Sequence, residues 1–243
     1  MCGALSRAKG RRASKGLFPI SVRNRYAGAM RGLILLAALM LGGCIPRSEG
    51  PPESVSPPSA QPPEGTQATL QCHGDLARER VQFRALPDRR FDGGCSAIGA
   101  VQLTDIGTPT TNLGAMTCPV ARQYARWVRE AVQPAANQAF GANVVRIETF
   151  GTYSCRTVNS RPGARISEHG FANAVDVSAF VLRDGRRISV EHGWNGTDER
   201  ERRFLRAVHR EGCRRFSVGL GPDADALHYN HLHFDMGRSG TCR

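Results

Sequence analysis

The run Ala174-Val175-Asp176-Val177-Ser178-Ala179-Phe180-Val181-Leu182 is followed by the turn pair Asp184-Gly185 and then by Arg187–Val190. β-Branched residues on both sides of an Asp-Gly turn predict a β-hairpin. Alternation along a strand puts Val175, Val177, Ala179 and Val181 on one apolar face, with Asp176 and Ser178 opposite. A carboxylate inside such a run is costly to bury unless a cation or hydrogen bonds compensate it. The run His231–Met236 repeats the pattern. There Leu232, Phe234 and Met236 form an apolar face, and His231, His233 and Asp235 form a polar one that must line a cleft.

Outward from these two strands the chain alternates short β-rich and helical stretches. Val81–Leu86, Ala100–Leu103 and Val144–Phe150 read as strands. Cys118–Val132 reads as a helix, because Val120, Tyr124, Trp127, Val128 and Ala131 recur at spacings of three and four and Pro119 suits a first turn. Thr197 or Asp198 caps a second helix running to about Gly212, with Phe204, Leu205 and Val208 facing inward. Strands mixed with two helices, without a βαβ rhythm, predict an α+β domain over residues 69–243: a small, largely antiparallel sheet with flanking helices.

The N-terminal quarter carries different information. Gly32–Gly43 is an apolar stretch preceded by Arg31 and closed by Cys44. Twelve residues span only about 18 Å as a helix, too short for a bilayer core of roughly 30 Å. The stretch therefore reads as a signal peptide over residues 1–43, with translation expected from Met30. Leu41-Gly42-Gly43-Cys44 resembles the bacterial lipobox, which makes Cys44 the lipidation site and the anchor to a membrane. Ile45 after the cysteine points to the periplasmic face of an outer membrane, within the cell envelope. Seven of the fourteen prolines lie between Pro46 and Pro63. Residues 44–68 thus read as a lipidated, Pro-rich disordered stalk.

Charge and cysteine narrow the function classes. The chain carries a formal +12, but eight of its 33 Lys and Arg lie in residues 1–43, where there is no Asp or Glu. The remaining 25 basic residues face 21 acidic ones, which excludes a nucleic-acid binder on charge grounds. Setting aside Cys2 and Cys44, six cysteines remain in an exported chain, predicting a disulfide-stapled domain. The expected pairs are Cys72–Cys95, Cys118–Cys155 and Cys213–Cys242.

Zinc accepts imidazole nitrogen and carboxylate oxygen, and a catalytic site keeps three protein ligands with a fourth position open. His169, Asp176 and His233 supply such a set. His228 reads as a loop or supporting group, Asp235 as the group that orients a histidine, and His192 and His209 as surface residues.

Ser167-x-His169-x6-Asp176 followed by His231-x-His233 resembles the LAS metallopeptidases, named for lysostaphin, D-Ala-D-Ala peptidases and the sonic hedgehog domain. More narrowly, Cys72–Cys242 is similar to the extensin-like C-terminal domain of bacterial proteins. That likeness rests on the Ser-Glu-His…Asn-Ala-x-Asp run, Ser154-Cys155-Arg156, Leu220-Gly221-Pro222 and the His-x-x-His-x-His-x-Asp ending. The resemblance implies a hedgehog/DD-peptidase-like fold and one zinc ion (Zn2+) held by His169, Asp176 and His233. It makes His231 the base or transition-state stabiliser, Arg156 the contact to a substrate carbonyl or carboxylate, and Ser167 a brace for the loop. Ala172 stands where the D-Ala-D-Ala peptidases often have Gly. Asn230 stands where many have a general-base Glu, which leaves proton transfer to His231. The expected activity is hydrolysis of peptidoglycan peptides, as a carboxypeptidase or an endopeptidase. The alternatives are a non-catalytic cell-wall binding module that retains the cleft, and a protein in which zinc is purely structural.

Overall fold

The computed structural model of the chain describes residues 64–243. The signal segment, Cys44 and the prolines up to Pro63 lie outside the described residues. In order, the elements are α1 (Glu64–Arg78), β1 (Gln82–Ala85), β2 (Arg89–Arg90), β3 (Ser96–Ala97), β4 (Ala100–Asp105) and β5 (Met116–Thr117). They continue with α2 (Cys118–Trp127), α3 (Gln133–Phe140), β6 (Val144–Gly151), β7 (Ala174–Leu182), β8 (Arg187–Ser189) and α4 (Val190–Gly193). Last come α5 (Glu199–Cys213), β9 (Val218–Leu220) and β10 (Leu232–Asp235). The domain is α+β, and the pairings between these strands are antiparallel.

The sheet that matters for function runs β6-β7-β10-β9, with β8 also paired to β7. β7 is its axis. Its first half pairs with β10 and its second half with β8, while β6 runs along its other edge. The register sets His233 directly opposite Asp176. Cross-strand partners point to the same face about 4.5–5.5 Å apart, so the strand pairing alone brings these two side chains together.

The expected apolar face of β7 is only half right. Consecutive β6 residues Glu148 and Thr149 pair with Ala179 and Val177, which leaves Ser178 unopposed. Such a bulge reverses the inside–outside alternation. Val175 and Val177 therefore enter the main core before it, and Phe180 and Leu182 after it, in place of Ala179 and Val181. The Ser178 hydroxyl donates to the Glu148 carbonyl at 3.1 Å.

Helices cover the core side of this sheet. Trp127 is completely buried, with its ring 6.0 Å from Phe180 and 5.3 Å from Phe234, and its indole N–H donates to the Val208 carbonyl at 2.8 Å. α5 reaches the sheet because Gly212 has no side chain; a Cβ there would come within 2.2 Å of Phe234. The helix expected over Cys118–Val132 extends to Phe140, through a π-helical turn at Val128–Val132. Pro134 has no amide hydrogen and its ring crowds the carbonyl four residues earlier, so an ordinary turn cannot pass it. The wider turn relieves this, and the Gln133 amide donates to the Val128 carbonyl.

α1 begins at Glu64, inside the stretch read as stalk. Its sequence shows no continuous apolar stripe: Leu76 is buried but Leu70 is exposed. Tertiary links hold it instead. The acid pair Asp75 and Glu79 binds Arg122 and Arg126 on α2, and Cys72 bridges to Cys118.

All six domain cysteines form disulfides, but two of the three expected pairs are replaced. The bonds are Cys72–Cys118, Cys95–Cys155 and Cys213–Cys242. α1 carries Cys72 to Cys118 at the start of α2, and the Cys155 segment returns onto Cys95 beside the β2–β3 hairpin.

Candidate metal centre

The loop entering β7 is built for close approach. Ser167 caps a single 3-10 turn, Glu168–Phe171, and its hydroxyl oxygen accepts the His169 amide at 3.4 Å. Ala172 then turns left-handed at φ 54°, a conformation that favours glycine. The Glu168 carboxylate accepts from the Asn173 side chain at 2.7 Å, and Thr117 donates to the Asn173 oxygen at 2.9 Å, closing the loop. Gly170 lies against the Cys95 sulfur and Ile166, where any side chain would clash. On the other side the Ser154 amide donates to the His169 carbonyl, and the Ser167 amide to the Arg156 carbonyl. The Cys155 disulfide thus sits at the root of both the ligand loop and the arm that carries Arg156.

His169, Asp176 and His233 converge, all buried, with one ligand atom from each within 4.8 Å of the others. His169 Nε2 lies 3.1 Å from Asp176 Oδ2 and 3.1 Å from His233 Nδ1, and His233 Nδ1 lies 2.8 Å from Asp176 Oδ1. The outward nitrogens are committed elsewhere. His169 Nδ1 donates to the Thr152 carbonyl at 3.3 Å, and His233 Nε2 donates to Asp235 Oδ2 at 2.8 Å. Both acceptors fix the tautomers, so neutral imidazoles turn two lone pairs and a carboxylate toward one point. Three acceptors with no donor among them need a cation: a proton or a metal. Tetrahedral zinc would space such donors by roughly 3.3 Å, so this set fits zinc.

The ionisation equilibria agree. Burial alone would raise the Asp176 pKa, but the shared contacts with His169 and His233 hold it far below the usual carboxylate range. Burial alone would lower that of His233, but hydrogen bonds to Asp176 and Asp235 outweigh it and raise it to about 9. A proton therefore holds the point of convergence when no metal does.

A model of the extensin-like protein C-terminus matches residues 70–243. The chain belongs to that family. No curated protein and no solved structure matches it.

In this extensin-like domain the three residues line a cleft of roughly 490 Å³ together with Arg156, His228 and His231. That size lies within the range of small-ligand sites. His231 Nδ1 donates to Asn230 Oδ1 at 2.9 Å, leaving Nε2 3.6 Å from Asp176 Oδ1. Burial, against the pull of Asp176, lowers its pKa to about 4, so it is neutral at pH 7. Asn230, noted in the sequence only for the glutamate it replaces, thus orients His231. His228 also lines the cleft and donates Nδ1 to Asp225 at 2.8 Å. Arg156 is half-buried at the cleft wall and makes no side-chain hydrogen bond or ion pair among the described residues.

Elsewhere the extensin-like domain departs from the sequence reading. His192 is exposed as expected, but His209 is buried between Trp194 and Phe234. It groups with Cys213 and Cys242, but those two sulfurs are bonded to each other, so the group is not a metal site. Thr152 was not foreseen, because a backbone carbonyl that orients a ligand leaves no mark in residue type. Phe150 was read only as a strand residue, and its position beside the centre depends on a bulge.

Proposed function

We propose that this chain is a cell-envelope lipoprotein that hydrolyses peptide bonds in peptidoglycan, using one zinc ion held by His169, Asp176 and His233. The observation that carries the reading is the convergence of three acceptors at the floor of an open cleft beside an unpaired Arg156. Zinc bound there would supply a Lewis acid and a water acidic enough to ionise near neutral pH. The chain's own residues divide the remaining work. Thr152 and Asp235 hold the ligand rings in the required tautomers. His231, neutral and aimed by Asn230, accepts a proton at Nε2. Arg156 offers its guanidinium to a substrate carboxylate or developing oxyanion.

The likeness to the LAS metallopeptidases supports a wall peptide as substrate. The apolar segment ending at Cys44 and the Pro-rich stretch after it, read as a signal peptide, lipobox and stalk, support an envelope location where such peptides occur. The test pairs metal analysis with catalysis on the chain purified with its disulfides intact. About one zinc per chain is expected, together with release of peptide or D-amino acid from muropeptides; both are lost in His233→Ala while circular dichroism is unchanged. A well-folded chain that takes up no zinc would sink the proposal. Zinc uptake with sacculus binding but no product would favour the wall-binding module.

A further inference from the structure

β6 carries a bulge beside the candidate centre. Thr149 pairs with Val177 and Gly151 with Asp176, so Phe150 is the extra, unpaired residue just before the partner of Asp176. Gly151 takes φ 126° to make this possible. Bulges re-aim side chains and are common next to active sites. Here the bulge turns Phe150 outward, 57% exposed, with its ring edge-on to His231 at 5.7 Å. Two further exposed large apolar residues, Leu227 and Tyr229, flank His228, and Leu227 lines the cleft itself. Leu227 thus lines the cleft directly, and Phe150 stands against His231, which lines it too. The loop of Arg156, Asn159, Ser160 and Arg165 makes other parts of the lining polar.

We infer that Phe150, with Leu227, forms the specificity wall of this cleft and holds the apolar side chain of the substrate residue that flanks the scissile amide. The inference rests on reading the cleft as a peptide site and names what that peptide must carry. Distance selects a side chain over a sugar. The His231 ring touches both Phe150 and Asp176: it packs against Phe150, and its Nε2 lies 3.6 Å from Asp176 Oδ1. A peptide advances about 3.3–3.6 Å per residue, so a saccharide several residues away stands beyond the reach of this ring.

The test uses the zinc-loaded full chain and two wall-type peptides that differ only in an alanyl or glycyl residue beside the scissile bond. Calorimetry gives Kd, and chromatography of the same samples gives turnover. The wild type is expected to bind the alanyl peptide about fourfold more tightly, the value of one buried methyl group. In Phe150→Ala that ratio falls to near one with zinc content unchanged, while Phe150→Leu keeps most of it. A ratio that persists in Phe150→Ala, or no ratio in the wild type, overturns the inference. So does an equal loss for both peptides, which would mean that the ring acts only by positioning His231. Turnover judges the hydrolase reading separately. Side-chain preference without cleavage keeps the wall and discards the hydrolase, and cleavage without preference does the reverse.

Discussion

Asp235 touches no point of convergence itself, yet it decides which nitrogen His233 turns inward. Its Oδ2 accepts the Nε2 proton and its Oδ1 accepts the Gly237 amide, so the carboxylate is held from two sides. Replacing it with Asn removes the charge that raises ring basicity but keeps the shape. Asp235→Asn should weaken zinc binding by about 10- to 100-fold, the usual cost of losing such a support, with little change in melting temperature. Competition with a chromophoric chelator reads this directly; unchanged affinity would remove Asp235 from the centre. The same pair sets a pH dependence. The His233 pKa, raised to about 9, means that a proton must leave before metal enters. That proton stabilises the metal-free fold fully below the unfolded value of about 6.5, and its contribution is lost as pH rises through 9. Apparent zinc affinity should accordingly rise about tenfold per pH unit between 7 and 9 and level off above. In Asp235→Asn the levelling should begin at lower pH. A flat profile across that range would show that His233 is not the proton's holder.

At the scale of elements, the three disulfides have separable duties. Cys72–Cys118 fastens α1 to α2, and its neighbour Thr117 bonds the end of the ligand loop at Ala172 and Asn173. Cys95–Cys155 lies against Gly170 and anchors the segment whose backbone pairs with residues 167 and 169. Changing Cys72 and Cys118 together to Ser should cost about 2–4 kcal/mol of stability and weaken zinc binding far less than loss of the second disulfide. Changing Cys95 and Cys155 should lower both, which thermal melts and chelator competition on the two double variants would separate; matching zinc losses in both would refute the division. The sequence could show part of this arrangement. β7, β10 and α5 were legible because each carries its own periodicity and, for α5, its Asp198 cap. His169, Asp176 and His233 were legible because two of them interrupt strands that are otherwise apolar. α1 was not, since its support comes from Arg122 and Arg126, some 45 residues away. The bulges at Ser178 and Phe150 were not, because an extra residue shows only against its partner strand.

At the scale of the whole domain, the fold has supports of its own apart from the candidate centre. The main core runs from Leu76 to Phe234 around Trp127 and contains none of the three convergent residues. Disulfides tie together the α1–α2 corner, the ligand-loop root and the C-terminal end. His233 and Asp176 also hold each other without metal, at 2.8 Å between Nδ1 and Oδ1. Removing zinc should therefore leave the helical circular dichroism signal intact and only lower the melting temperature. Free zinc at about 100 times its Kd contributes about 2.7 kcal/mol through binding to the folded state alone. For a domain of this size that corresponds to a rise of roughly 5–10 °C. Melting the chain with and without a chelator, at fixed pH and with disulfides intact, measures the difference. Collapse of the far-ultraviolet signal on chelation would mean that the metal holds the fold, and the structural-zinc alternative would then replace the catalytic one. A modest shift with secondary structure retained is what a centre built for chemistry requires, because its ligands stay preorganised whether or not the ion is bound.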